Sequence, residues 1–186
     1  MAKLKEKYNL EVIPPMMEKF GYKSVMAVPK IQRVAVNVGF GRLISGKTAD
    51  EQKKIHETIL DNLSLICGQK RQITLAKRSI AAFKTRKGLP LGTKVTLRGQ
   101  KMYDFLERLI YLALPRSRDF RGIETKSFDK KGNLTIGVKE QITFPEILPE
   151  KAKISFGLEV TMVTTAKKKE EGIELLKLMG FPIKQE

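Results

Sequence analysis

A chain of 186 residues with 36 Lys and Arg against 20 Asp and Glu carries a net charge of +16, a balance that calls for an anionic partner. Its 41% hydrophobic content is enough for a packed core, so disorder is excluded, and its single Cys67 and single His56 exclude an internal disulfide and a Cys/His metal cluster. The opening Met1-Ala2-Lys3-Leu4-Lys5 lacks the apolar run of a signal peptide, and no stretch approaches the roughly 18 apolar residues of a membrane span, so a soluble cytoplasmic protein with no membrane partner and no cofactor is expected.

Leu4, Tyr8 and Val12 recur at helical spacing, and Met16, Met17 and Phe20 carry an apolar face on to Gly21. Pro14 and Pro15 between them are expected to stop or kink the helix. Residues 31–39 alternate, with Val34, Val36 and Val38 on one face and Arg33, Ala35 and Asn37 on the other, as in a half-buried strand. Ile55, Ile59, Leu63 and Ile66 then form a helical stripe, introduced by Thr48 and Glu51 at capping-box spacing and closed by Gly68. His56 lies beside that stripe and reads as a partly buried side chain rather than a ligand or base.

From Asn62 to Tyr103 the chain runs 42 residues without an Asp or Glu while carrying ten Lys and Arg. Like charges at this density repel unless a polyanion lies against them, and the Gly, Ser, Thr and Gln between them suit contacts to phosphate and sugar. Within this stretch, 71–75 and 94–98 alternate, with Ile73, Leu75, Val95 and Leu97 expected inward and Gln72, Thr74, Lys94, Thr96 and Arg98 outward. Residues 76–93 are too long for a tight hairpin and are expected to project as a flexible basic loop. A helix follows from Lys101 to about Leu114, burying Phe105, Leu106, Leu109, Ile110 and Ala113 and stopped by Pro115. A second basic segment, 115–122, places Arg116, Arg118 and Arg121 around Asp119 and Phe120. Strands at 134–138 and 154–163 and a helix at 170–179, ended by Gly180 and Pro182, complete the reading. It is an α+β chain forming one domain over 1–186: an antiparallel sheet, helices packed on one face, and a long projecting basic loop.

Gly41-Arg-Leu-Ile-Ser-Gly46-Lys47-Thr48 matches the phosphate-cradling P-loop pattern between a strand and a helix. A small P-loop nucleotide-binding protein is therefore the alternative. Against it, no strand ends in the Asp that would complete a magnesium shell, and the remaining elements do not alternate as βαβ units. Thr48 is accounted for as a helix cap and the glycines as a turn. No nucleophile and base pair emerges elsewhere, so no catalysis is expected. The outward positions Arg33, Asn37, Thr96 and Arg98 share a sheet face suited to RNA. Lacking aromatics there, it would use phosphate, ribose and shape contacts rather than base stacking.

Several ordered motifs carry a family resemblance. Lys94-Val-Thr-Leu-Arg-Gly99, Pro115-Arg-Ser-Arg-Asp-Phe-Arg-Gly122, Gly132-Asn-Leu-Thr-Ile-Gly-Val138 and Phe144-Pro-Glu-Ile147, with Val28-Pro29-Lys30-Ile31, Gly68-Gln-Lys70 and Ala166-Lys167, resemble the bacterial-type large-subunit ribosomal protein L5 family over nearly the whole chain. The resemblance implies an α+β fold, 5S rRNA binding in the central protuberance beside neighbouring large-subunit rRNA and ribosomal proteins, and no enzymatic activity. Family RNA contacts carry over to Asn37, Gln69 and Thr96, joined here by Arg33, Lys70 and Arg98. The projecting loop, with Lys77, Arg78, Ser79, Phe83, Lys84 and Arg86, resembles the segment that reaches P-site tRNA. Arg116, Arg118 and Arg121, with Phe144 and Glu146 in the 144–150 region, resemble surfaces that bridge to a protein of the small-subunit head. Two features depart from the family: the Pro14-Pro15 pair within a normally continuous helix, and a 42–50 segment several residues longer than usual.

Overall fold

The structure is a computed structural model that describes residues 3–118, 120–148, 150 and 154–184; Met1, Ala2, Asp119 and position 149 of the 144–150 segment, all named above, lie outside the described residues. The chain opens with α1 (Lys3–Lys7), a π-helical turn (Tyr8–Val12) and α2 (Ile13–Phe20). The proline pair therefore does not stop the helix. The Ile13 amide reaches back five residues to the Tyr8 carbonyl. The wider turn relieves the clash that each pyrrolidine ring would make with the carbonyl four residues earlier. Gly21, at φ +66°, ends the segment in the left-handed conformation.

β1 (Ile31–Gly39) follows, with Val34, Val36 and Val38 completely buried and Arg33 and Asn37 exposed. Burial of each valine contributes roughly 1.5–3 kcal/mol. A short α3 (Gly41–Ile44) leads into α4 (Ala49–Cys67), whose stripe of Ile55, Ile59, Leu63 and Ile66 is buried. β2 (Gln72–Leu75) and β3 (Pro90–Leu97) are joined by a projecting finger. α5 (Gly99–Arg108), a second π turn (Leu109–Ala113) and α6 (Leu114–Arg116) then run on end to end. Pro115 is carried inside this helical run, just past a widened turn in which the Leu114 amide bonds the Leu109 carbonyl. β4 (Leu134–Val138), β5 (Leu158–Thr164) and α7 (Lys169–Leu178) close the chain. β5 begins later than the alternation suggests, because Phe156 is turned aside by a hydrogen bond from its amide to Gln141 Oε1 (2.8 Å).

Among the described residues the sheet has five strands in the order β2-β3-β1-β5-β4, antiparallel throughout. The strand residues that face the helices join Val12, Met16, Leu106, Leu109, Phe144 and Leu176 in one contiguous core, and the opposite face stays open. Gly132, in the turn before β4, packs against Gly172 of α7 so closely that a β-carbon on either residue would overlap the other.

Two expectations about the basic stretch are corrected. Ile73 and Leu75 are 42% and 57% exposed rather than inward, because β2 is the edge strand and the helical layer packs against β3 and β1. The 76–93 segment projects as expected, but as a hydrogen-bonded hairpin extension rather than an open loop throughout. β3 starts at Pro90, the Ala76 amide bonds the Leu89 carbonyl (2.8 Å), and Ile80 and Thr85 exchange backbone hydrogen bonds at 3.0 and 3.1 Å.

His56 is half-buried, with its ring edge-on to Phe40 (centroids 5.3 Å apart) and Nε2 without a hydrogen-bond partner among the described residues. Burial lowers its pKa, Glu57 works against that shift and Arg71 reinforces it. A depressed folded-state pKa leaves stability intact above the unfolded value near 6.5 and removes it as pH falls below. His56 is the only histidine, so its effect stands alone in this window. Thermal midpoints measured between pH 7.5 and 5.5 should fall more for the wild type than for His56→Gln, and equal slopes would contradict the assignment.

Candidate nucleic-acid interface

The open face is built by strand pairing. Asn37 of β1 stands opposite Lys94 of β3 on one side and Glu159 of β5 on the other, while Ala35 stands between Thr96 and Thr161. Residues directly opposite in an antiparallel pair share a face, so Asn37, Lys94, Thr96, Glu159 and Thr161 all look away from the core. Arg33 extends that face along β1, and exposed Arg98 follows directly on β3 as the N-cap of α5. Thr161 shares a hydroxyl–hydroxyl hydrogen bond of 3.1 Å with Thr135 of β4. The side chains of Arg33, Lys94 and Arg98 are exposed and make no ion pair among the described residues.

Gln69 joins this face from the end of α4. Gly68, at φ +59°, turns the chain there, and Lys101 Nζ donates to the Gly68 carbonyl at 3.0 Å. Gln69 Nε2 then donates to the Thr96 carbonyl at 3.1 Å. The structure thus brings Asn37, Gln69 and Thr96 onto one surface, with exposed Lys70 beside them. Asn37 Nδ2 donates to Glu159 Oε2 at 3.3 Å.

The finger presents Lys77, Arg78, Lys84 and Arg86, all exposed, around an exposed Phe83 at its tip. Ser79 is structural here: its Oγ accepts from the Lys87 amide at 3.0 Å and ties the two limbs together. Lys84 has φ +50°, the left-handed conformation that closes the tip, where its amide bonds the Ala81 carbonyl at 2.9 Å. Of the ten Lys and Arg between Asn62 and Tyr103, only Arg71 meets a carboxylate, Asp61 at 3.4 Å, among the described residues.

At the other end, Arg116, Arg118 and Arg121 are exposed. A cleft of about 350 Å³ is lined by Arg116, Ser117, Arg118, Lys139, Glu140, Ile142 and Thr143. Phe144 and Glu146 are not free surface in this group. Phe144 is completely buried and stacks on Phe105 with centroids 5.9 Å apart. Glu146 is half-buried, with Oε1 2.8 Å from Arg108 Nε in an ion pair too bent for a hydrogen bond, while Arg108 Nη2 donates to the Ile66 carbonyl at 2.8 Å. Both residues hold the 141–148 turns against the helices; the apolar ring and the Arg108 pairing draw them inward.

The P-loop resemblance does not survive the geometry. A phosphate cradle needs free backbone amides, but here those of Leu43 and Ile44 bond the Phe40 carbonyl, that of Ser45 bonds Gly41, and that of Lys47 bonds Ile44. Thr48 caps α4 in a capping box with Glu51, whose Oε2 accepts from the Thr48 amide at 3.1 Å. That bond holds the Glu51 carboxyl below its usual range. The preceding strand, β1, has antiparallel neighbours on both sides, unlike the parallel core of nucleotide-binding α/β folds. Elsewhere, burial pushes the Cys67 thiol up to about 12, which leaves it unreactive.

Sequence reasoning missed two cations and one acid. Alternation turns Lys94 outward without marking it as a site residue, although it stands beside Asn37. Lys87 sits on the finger with the others. Strand alternation marked Arg33, Asn37, Thr96 and Arg98, but only register shows that Glu159 comes from the far end of the chain to lie against Asn37.

Comparison with known proteins finds similarity along the length of the chain. Residues 24–86 match the family model "Ribosomal protein L5", and residues 90–183 match the model for the C-terminal region of the ribosomal L5 family. The first stretch supplies β1 and β2 and the second β3, β4 and β5, so the two interleave in one sheet. Large ribosomal subunit protein uL5 of Alkaliphilus oremlandii is 52% identical over 98% of both chains. Its counterpart in Thermoanaerobacter sp. is 50% identical over 98% of both, and that of Halothermothrix orenii 49% identical over the full length of both.

Addition of ATP or GTP with magnesium, up to millimolar concentrations, should leave the thermal midpoint of the isolated chain unchanged, and Lys47→Ala should behave as the wild type does. A nucleotide-dependent stabilisation abolished by Lys47→Ala would restore the P-loop reading. With matches that span its length, the chain belongs to the ribosomal protein L5 family and is a structural, non-enzymatic constituent of the large ribosomal subunit in the cytoplasm.

Proposed function

We propose that this chain anchors 5S rRNA in the central protuberance through the open sheet face, steadies P-site tRNA with the finger, and contacts a small-subunit head protein through Arg116, Arg118 and Arg121. The observation that carries the reading is the set of ten cations in 62–103, nine of them without a carboxylate partner among the described residues. Unpaired cations on a rigid scaffold gain most from phosphates, whose counterions are released on contact. Arg33, Lys70, Lys94 and Arg98 surround the Asn37, Gln69 and Thr96 group, so phosphate attraction positions the RNA while the polar centre contacts its sugars and bases. The finger has a different chemistry: five cations around an exposed Phe83 and Ile80, on a hydrogen-bonded stalk that holds its length. Such a tip can lie along a folded RNA surface by charge and apolar contact without reading sequence.

If about six phosphates are neutralised, log affinity for a 5S rRNA transcript should fall against log salt with a slope of roughly minus four to minus five, whereas a flat response would reject phosphate anchoring. The two surfaces are separable by mutation. Replacing Lys77, Arg78, Lys84 and Arg86 together by Ala should leave 5S rRNA affinity within about twofold while speeding loss of P-site tRNA from assembled ribosomes. Equal loss of both would reject the division of labour.

A further inference from the structure

The open face holds one residue that phosphate attraction does not explain. Among the described residues, Glu159 is the only acidic one in the five strands. It is exposed, and a carboxylate there repels the phosphates that Arg33, Lys94 and Arg98 attract. Strand pairing nevertheless holds it directly opposite Asn37, where its Oε2 accepts from Asn37 Nδ2 at 3.3 Å.

This contact fixes the sense of the Asn37 amide. A carboxylate at neutral pH has no proton to offer, so it draws the amide nitrogen and turns away the amide oxygen. Gln69 repeats the arrangement: its Nε2 is drawn to the Thr96 carbonyl, which is also an acceptor without a proton, and Oε1 is the end without a partner among the described residues. One hydrogen remains on each amide nitrogen, but that nitrogen is already held by the protein. In the centre of a cationic surface, two amides therefore offer carbonyl oxygens. A phosphate has nothing to donate to them. The nucleotide groups that do are the ribose 2′-hydroxyl and the N–H groups of bases.

We propose that Glu159 is a positioning residue that locks Asn37 with its carbonyl oxygen outward, so that Asn37 and Gln69 act as paired acceptors selecting nucleotides by a ribose 2′-hydroxyl or base N–H donor. This rests on the reading of the open face as the 5S rRNA surface and adds a discriminating centre to it. The surrounding cations supply attraction, and the two acceptors reject any register of the RNA that places only phosphate or base acceptors against them. An acidic side chain on a polyanion-binding face thereby gains a purpose that net charge alone would deny it.

The test turns on a sign. Glu159→Gln removes one negative charge, so a passive surface acid would give equal or tighter binding to a 5S rRNA transcript. The proposal expects the reverse, binding about five- to tenfold weaker with the salt slope unchanged, because the neutral amide lets Asn37 flip. Asn37→Ala should show a similar loss, and adding E159Q to it should cost nothing more. An unchanged thermal midpoint for E159Q confirms that the loss is not one of folding. Transcripts carrying single 2′-deoxy or N-methylated-base substitutions then name the donor. A position that weakens wild-type binding but not E159Q binding identifies ribose or base according to the substitution, and the absence of any such position overturns the proposal. A wild-type chain that ignores the transcript at low salt overturns the reading of the surface itself. Wild-type binding together with equal or tighter E159Q binding overturns only the role of Glu159.

Discussion

The hydrogen-bonded pairing of β1 with β3 on one side and β5 on the other is the constraint on which the rest of the molecule depends. Strand residues alternate between faces with a period of two, so the burial of Val34, Val36 and Val38 against the helices also turns Arg33 and Asn37 outward. A one-residue slip would put the valines in water and the cationic face in the core. The apolar underside therefore fixes the polar upper side. No binding residue on the strands has to be held by a contact of its own, apart from the amides whose orientation matters.

Uncompensated charge costs stability through self-repulsion, and the fold confines that cost to places where it can be borne. Each ion pair among the described residues joins helix or loop positions and none lies on a strand: Lys19 with Glu174, Arg71 with Asp61, Arg108 with Glu146 and Lys184 with Glu124. Among the described residues, the cations on the strands and the finger make no ion pair. Their separation comes from a stiff backbone, which holds the side chains apart and away from the acids. Buried aromatic and aliphatic side chains such as Phe105, Phe144, Leu106 and Leu109 supply that stiffness from below.

Much of this was legible in the amino-acid order, for identifiable reasons. β1, α4 and β4 could be read because each has a clean period, and α4 because the Thr48, Glu51 and Gly68 signals bracket it. Ile73 and Leu75 misled because alternation reports which face a residue takes but not whether a helix reaches far enough to cover it. Pro14, Pro15 and Pro115 misled because a π turn, which leaves no mark in composition, absorbs the rings. The finger hid its order because its hydrogen bonds are mostly backbone ones, joined by the side chains of Ser79 and Thr85 across its limbs. The polar centre was half visible: Asn37 and Thr96 follow from alternation, while the Gln69 bond to a carbonyl and the approach of Glu159 are products of tertiary register.

The strand order also bears on how this protein is made. β1 occupies the middle of the sheet, yet β5, one of its two neighbours, is translated more than a hundred residues later. A nascent chain that has just released its basic stretch can pair β1 with β3, but it has neither the second flank of that strand nor the carboxylate that sets Asn37. Its charges are on display before its selectivity exists. On the proposed role of Glu159, discriminating RNA capture waits for β5 to emerge, so that a chain interrupted before that strand would cling to polyanions without choosing among them.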